Sequence, residues 1–161
     1  MTTGGRLRRS SILALTLMLI VAIAGWSSPG PVAPTADPSL ALDAHNPVPA
    51  EVMTLLRRGC FDCHSNDTRW PWYSRVPPVS WLVLRDVERG RGQVNFSQWG
   101  QYNPFDRADI LDKACDLASK REMPLWPYRL MHPEARLSDT DVATLCHWSR
   151  TEAARLVNGG T

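Results

Sequence analysis

Apolar positions along the chain fall into one long run and four helical stripes. The run is Ile12 to Ala24, interrupted only by Thr16. Residues 25–49 then show no periodicity. From Ala50 a helical period sets in: Val52, Leu55 and Leu56 share one face of a helix over 50–59, with Pro49 suited to its first turn. A second helix is expected over 79–91, opened by the break at Pro77-Pro78. A third is expected with Asp106 as its cap, Asp109 at the capping-box position and Phe105 stapled against Ile110. Its apolar stripe is Ile110, Leu111, Ala114, Leu117 and Ala118. The last opens at Ser138 with Asp141 three residues on and Leu137 against Val142. It buries Val142, Leu145, Cys146, Ser149 and Leu156. No stretch alternates with the period of two that strands need, and nothing repeats. The expected fold class is all-α.

The apolar run changes meaning with its flanks. Arg6, Arg8 and Arg9 precede it, no acid occurs before Asp37, and Ala22-Ile23-Ala24 ends it. That is the layout of a secretory signal over 1–24 with an A-x-A cleavage site. The alternative is an uncleaved N-terminal membrane anchor, although 13 residues fall short of the roughly 20 a spanning helix needs. Six prolines among residues 25–49 mark a Pro-rich linker over 25–46, followed by a folded unit over 47–157. At 161 residues, 43% hydrophobic and 21% charged, the chain is globular and sized for one core. Its net charge of +2 is too small for a nucleic-acid surface. The excess lies in the leader: 18 Lys+Arg less Arg6, Arg8 and Arg9 leaves 15 against 16 acids, or −1.

The chemistry is concentrated at Cys60-Phe61-Asp62-Cys63-His64. C-x-x-C-H is the pattern of a c-type haem attachment site. Two thiols three positions apart can add to the two vinyl groups on one porphyrin edge, and the next residue brings an imidazole to the iron. Attachment follows export, so signal and motif share one requirement. A zinc site would want a second C-x-x-C or a His pair, which neither Cys115 nor Cys146-His147 supplies. A thioredoxin-like pair would want a strand–helix context, whereas this motif ends a helix. A Cys60–Cys63 disulfide is the plainer alternative. The second axial ligand is expected at Met123, held in a stiff loop by Pro124. A thioether favours ferrous iron and raises the potential. Met131, His132 and upstream His45 are its rivals, and a core gap-filler is the other role open to Met123.

The order helix, C-x-x-C-H, loops, Met-Pro, final helix resembles the class I c-type cytochromes. More closely, the chain resembles a bacterial haem-binding domain family of exported proteins with one such motif. The residues carrying the likeness are Cys-Phe-Asp-Cys-His-Ser-Asn at 60–66, Arg-Trp-Pro-Trp-Tyr at 69–73 and Pro-Val-Ser-Trp-Leu-Val at 78–83. Asn-Phe-Ser-Gln-Trp at 95–99, Glu-Met-Pro at 122–124 and His-Pro-Glu-Ala-Arg-Leu-Ser at 132–138 complete the set. The resemblance implies Cys60 and Cys63 as thioether attachments of one haem c, His64 as proximal and Met123 as distal iron ligand. The long aromatic segment at 69–81 departs from an ordinary cytochrome.

Within that segment Trp70 and Trp81, with Trp72 and Tyr73, either wall a haem pocket or form a satellite core. Arg69 and Arg75 flank them as candidate partners of the haem propionates. Trp99, Trp126 and Trp148 are expected to be packing residues. Cys115 and Cys146, each near an apolar helical face, are expected either to bridge the third and last helices or to stay as small buried hydrophobes. The sequence thus points to an exported, periplasmic or membrane-anchored haem carrier used for one-electron transfer. Its partners would be the cytochrome c maturation machinery and a redox protein. The alternatives are a haem enzyme reducing peroxide, or a gas-binding sensor, with an open distal site. No Walker loop, Rossmann fingerprint or H-E-x-x-H helix is present.

Overall fold

Caps and prolines set where each helix of this chain begins. The computed structural model describes residues 3–26, 31 and 34–159, and the side chains of all of these except 3–8, 22 and 24–26. Among the described residues there are eight α-helices, four 3-10 turns and no strand. The α-helices are α1 (Thr3–Trp26), α2 (Leu42–His45), α3 (Ala50–Gly59) and α4 (Phe61–His64). After them come α5 (Val79–Gln93), α6 (Pro104–Ser119), α7 (Trp126–Met131) and α8 (Asp139–Val157). The chain divides into a smaller unit, Met1–Val32 with Trp70–Asp86, and a larger one, Ala33–Arg69 with Val87–Thr161.

In the smaller unit, α1 contains most of the expected signal segment, and its described apolar side chains are exposed. Among the described residues no helix is long and apolar enough to cross a membrane. The Ala22 and Ala24 side chains of the A-x-A site, and linker residues 27–30, 32 and 33, lie outside the described residues. Further on, a 3-10 turn spans Trp72–Arg75, where the Ser74 hydroxyl donates to the Pro71 carbonyl at 2.7 Å. Trp72 and Tyr73 meet edge to face at 5.8 Å. The first turns of α5 follow a cis Pro77-Pro78 bond.

The larger unit is built on α3, α6 and α8. The stripe expected on α3 is the buried one, Val52, Leu55 and Leu56. α8 opens with the expected capping box, the Ser138 hydroxyl accepting from the Asp141 N–H while the Asp141 carboxylate accepts from the Ser138 N–H at 2.8 Å. Ser138→Ala should therefore lower stability by about 1 kcal/mol in chemical denaturation; an unchanged midpoint would mean that the cap contributes nothing. α8 buries more than expected: Trp148, Glu152 and Ala153 join Leu145, Cys146, Ser149 and Leu156, whereas Val142 is half-buried.

Four expectations are corrected here. The third long helix, α6, starts at Pro104 rather than after Asp106, because the Asn103 side chain caps it, accepting from the Phe105 and Asp106 N–H groups, and proline suits the first position. Phe105 is exposed and staples nothing. Trp126, expected to pack, is 69% exposed. Finally, residues from Asp37 to Asn46 are folded chain. Asp37 caps a 3-10 turn over Pro38–Leu40, Leu42 of α2 is 1% exposed in the core, and the Asn46 side chain is buried. The Asn46 amide donates to Glu152 and its carbonyl oxygen accepts from the Trp99 indole N–H, while Arg155 pairs with Glu152 at 2.6 Å. The Trp148 indole donates to the Pro47 carbonyl at 3.0 Å. Proline density hid this segment because its only apolar anchor is Leu42.

Candidate functional site

The C-x-x-C-H motif sits where α3 stops. Cys60 leaves helical backbone (φ −125°, ψ −43°), and α4 forms a single short turn with the Cys63 and His64 N–H groups on the Cys60 carbonyl at 3.2 and 2.9 Å. Neither Cys60 nor Cys63 is in a disulfide, so that alternative is not formed. Burial, reinforced by Cys63, pushes the Cys60 thiol up to about 12 and keeps it neutral. The His64 Nδ1 lies 3.3 Å from the Val94 carbonyl oxygen. Donation from Nδ1–H fixes the tautomer that leaves Nε2 with its lone pair. Burial lowers the pKa of His64 below the ordinary imidazole value, outweighing the Val94 and Gly90 carbonyls that raise it. The ring is thus neutral at pH 7, as an iron ligand must be.

The second half of α5 clamps this motif from outside. Arg91 donates from Nε to the Ser65 carbonyl at 2.8 Å and from Nη2 to the Thr68 hydroxyl at 2.8 Å. Gly90 lies so close that a Cβ there would stand 2.4 Å from the Cys63 carbonyl oxygen. The Asn66 N–H donates to the Ser97 hydroxyl and the Asn95 amide to the Asn66 side-chain oxygen, at 3.0 and 2.8 Å. A row of rings continues from the motif through the 3-10 segment Phe96–Gln101: Phe61 on Phe96 at 5.3 Å, Phe96 to Trp99 at 5.9 Å, Trp99 to Tyr102 at 5.9 Å.

Beside the motif lies a cavity of about 540 Å³, within the roughly 300–1,000 Å³ typical of cofactor sites. Cys60 and His64 line it from one side, and Ile110, Ala114 and Leu117 from the other. The stripe on α6 is therefore divided: Leu111 enters the core, while Ile110, Ala114, Leu117 and Ala118 line the cavity. Met123 also lines it. Its place follows from how α6 ends. Arg121 takes a left-handed backbone (φ 60°), which turns the chain so that the Glu122 and Met123 N–H groups both reach the Leu117 carbonyl, at 3.0 and 3.2 Å. The Arg121 guanidinium fastens the turn to the Leu137 carbonyl and Asp139.

The rivals of Met123 are elsewhere. His132 stacks on Tyr128 at 4.3 Å and holds Glu134 at 3.1 Å, Met131 is 52% exposed, and the His45 Nε2 meets the Ser39 carbonyl. None of the three lines the cavity. Arg69, expected at the propionates, instead turns to Asp62, donating from N at 3.0 Å and Nε at 3.3 Å. That carboxylate raises the Arg69 pKa. Arg75, Trp70 and Trp81 belong to the smaller unit, whereas every residue lining the cavity belongs to the larger.

Two features escaped the sequence. Asp62, inside the motif, is 7% exposed and accepts the Tyr128 hydroxyl at 2.6 Å. Burial, with Asp62 adding to it, raises the Tyr128 pKa. Nothing in the spacing links residue 62 to residue 128. The other is the row of rings, whose signal was the aromatic pair at Phe96 and Trp99, one helical turn apart. Cys115 and Cys146 are joined by a disulfide between α6 and α8, with Cα atoms 4.7 Å apart.

A neutral imidazole with a free Nε2, a thiol, a thioether and apolar walls around one cavity suit a flat, largely apolar iron macrocycle. No curated protein and no solved structure matches the chain. A family model described as a haem-binding domain matches residues 19–151, which include every residue lining the cavity. The chain belongs to the haem-binding domain family.

Proposed function

We propose that the protein is an exported, c-type cytochrome-like carrier with one covalent haem, passing single electrons. The observation behind this is that Cys60, His64 and Met123 line a single apolar cavity. Cys60 and Cys63 would hold the porphyrin through thioethers, each S–H adding across one vinyl group so that sulfur and hydrogen end on adjacent carbons. His64 would offer Nε2 to one face of the iron, its ring held by the Val94 carbonyl. Met123 would offer its thioether to the other face. Bound there, haem supplies a one-electron iron couple. The chain's own part is to fix the imidazole, keep water from the ring with Ile110, Ala114 and Leu117, and favour the ferrous state through a soft sulfur ligand. Export is supported by the leader pattern and by the Cys115–Cys146 disulfide, a bond of oxidising compartments.

A haem stain on a denaturing gel of the protein, expressed with maturation machinery, should show a band at the chain's mass. Cys60→Ala/Cys63→Ala should remove it; an unstained wild-type band would end the proposal. The ferric protein should show a weak far-red absorption from sulfur–iron coordination, lost in Met123→Ala. A high-spin wild-type spectrum would favour the open-site enzyme or sensor instead.

A further inference from the structure

The cavity is polar at one end only. Its apolar end is the one where Cys60 enters: a Cβ placed on Gly59 there would stand 3.2 Å from the Pro124 side chain and 3.8 Å from that of Leu137. Along α6 the lining runs from Ala118 back to Asp106, about 18 Å at 1.5 Å per residue. At the Asp106 end it is made of Tyr102, Gln93, Asp106, Asp109 and Lys113. His64 lies between the two ends, since its Val94 partner is next to Asn95, whose N–H donates to the Tyr102 hydroxyl at 2.9 Å. The Tyr102 oxygen thus already accepts a bond, and its own hydrogen has no acceptor among the described residues. Lys113 is the sole cation lining the cavity.

We propose that the two carboxylates of the haem are received at this end, by the Tyr102 hydroxyl and the Lys113 ammonium, in place of the expected Arg69 and Arg75. This rests on the covalent haem proposed above, because attachment at Cys60 turns the vinyl edge of the porphyrin towards the apolar end. The carboxylate edge is the opposite one. A half-buried hydroxyl with a proton to give and an exposed ammonium are the donors a carboxylate needs. Asp106 and Asp109 also line this end, but both are already engaged. The Asn103 amide donates to Asp106 at 2.6 Å, and Lys113 pairs with Asp109 at 2.6 Å. Both lie at the solvent-facing rim, where the Asp109 side chain is 61% exposed and repulsion is screened by salt. Lys113 would bridge Asp109 and a propionate.

The test uses the haem-loaded full chain with Tyr102→Phe, Lys113→Ala and Lys113→Arg. All three should keep the haem-stained band, since attachment depends on Cys60 and Cys63. The midpoint potential should fall in Tyr102→Phe and Lys113→Ala, because each loses a group that offsets negative charge beside the iron, and Lys113→Arg should restore it. A crystal structure of the haem-loaded protein should place a propionate oxygen within about 3.2 Å of the Tyr102 hydroxyl. Propionates directed at Arg69 or Arg75, or potentials unchanged in both variants, would overturn the assignment while leaving the covalent haem intact. A missing stained band in the wild type would instead remove the haem reading beneath it.

Discussion

Gly90→Ala and Gly92→Ala, two residues apart on α5, are expected to shift stability in opposite directions. Alanine at either site gains helix propensity of about 1 kcal/mol over glycine. At Gly92 nothing stands within 4 Å of the added methyl, so that gain should appear almost whole. At Gly90 the methyl would stand 2.4 Å from the Cys63 carbonyl oxygen and 3.0 Å from its carbon. Those are backbone atoms of the C-x-x-C-H motif, and no rotamer change moves them away. Separating α5 from α4 strains the Arg91 bonds to Ser65 and Thr68 as well. The net loss should be about 3 kcal/mol, or roughly 10 °C in melting temperature. The same displacement should lower the yield of haem attachment in Gly90→Ala and leave it unchanged in Gly92→Ala. Equal melting temperatures for the two variants would show that the contact between α5 and Cys63 is loose.

The second large effect lies in the disulfide. Cys115 and Cys146 are 31 positions apart and close a loop that contains the Met123 turn. Loop-closure entropy alone makes such a bridge worth about 3–4 kcal/mol. Cys115→Ala/Cys146→Ala should lose about that much in urea denaturation, and wild type should lose the same in the presence of reductant. If the bridge also holds α6 in place as a cavity wall, the double variant should lose the far-red sulfur–iron band at temperatures where it is still folded. Variants that denature at the wild-type midpoint would mean that α6 and α8 are held by packing alone.

The elements carrying the site were mostly legible because their signals are local. The stripe Val52, Leu55 and Leu56 and the box Ser138–Asp141 involve residues within one or two turns, and the structure forms both. The motif at 60–64 is local as well, and two of its members, Cys60 and His64, line the cavity. Most of the misses are long-range. Arg69 pairs with Asp62, a buried carboxylate seven residues away in the chain that no spacing pattern announces. Asp62 is buried only because Tyr128 comes to it from 66 residues away. The start of α6 was misplaced by a subtler rivalry: Asn103, Asp106 and Asp109 are all capable caps, and Pro104 at the first position decides for Asn103. Four of the five stripe residues on α6 line the cavity, and periodicity alone does not distinguish a cavity wall from a core face.

The bonds made by Asn46 also determine where this protein can be cut. A protease nick or an expression start placed after residue 46, at the end of the proline-dense stretch, would leave the Glu152 carboxylate and the Trp99 indole N–H buried without their shared partner, and would remove Leu42 from the core. Starting before Asp37 keeps all of these. The shortest chain that folds should therefore begin about ten residues earlier than its first long helical stripe suggests, so truncations stepping from residue 36 to residue 47 should lose stability abruptly rather than gradually.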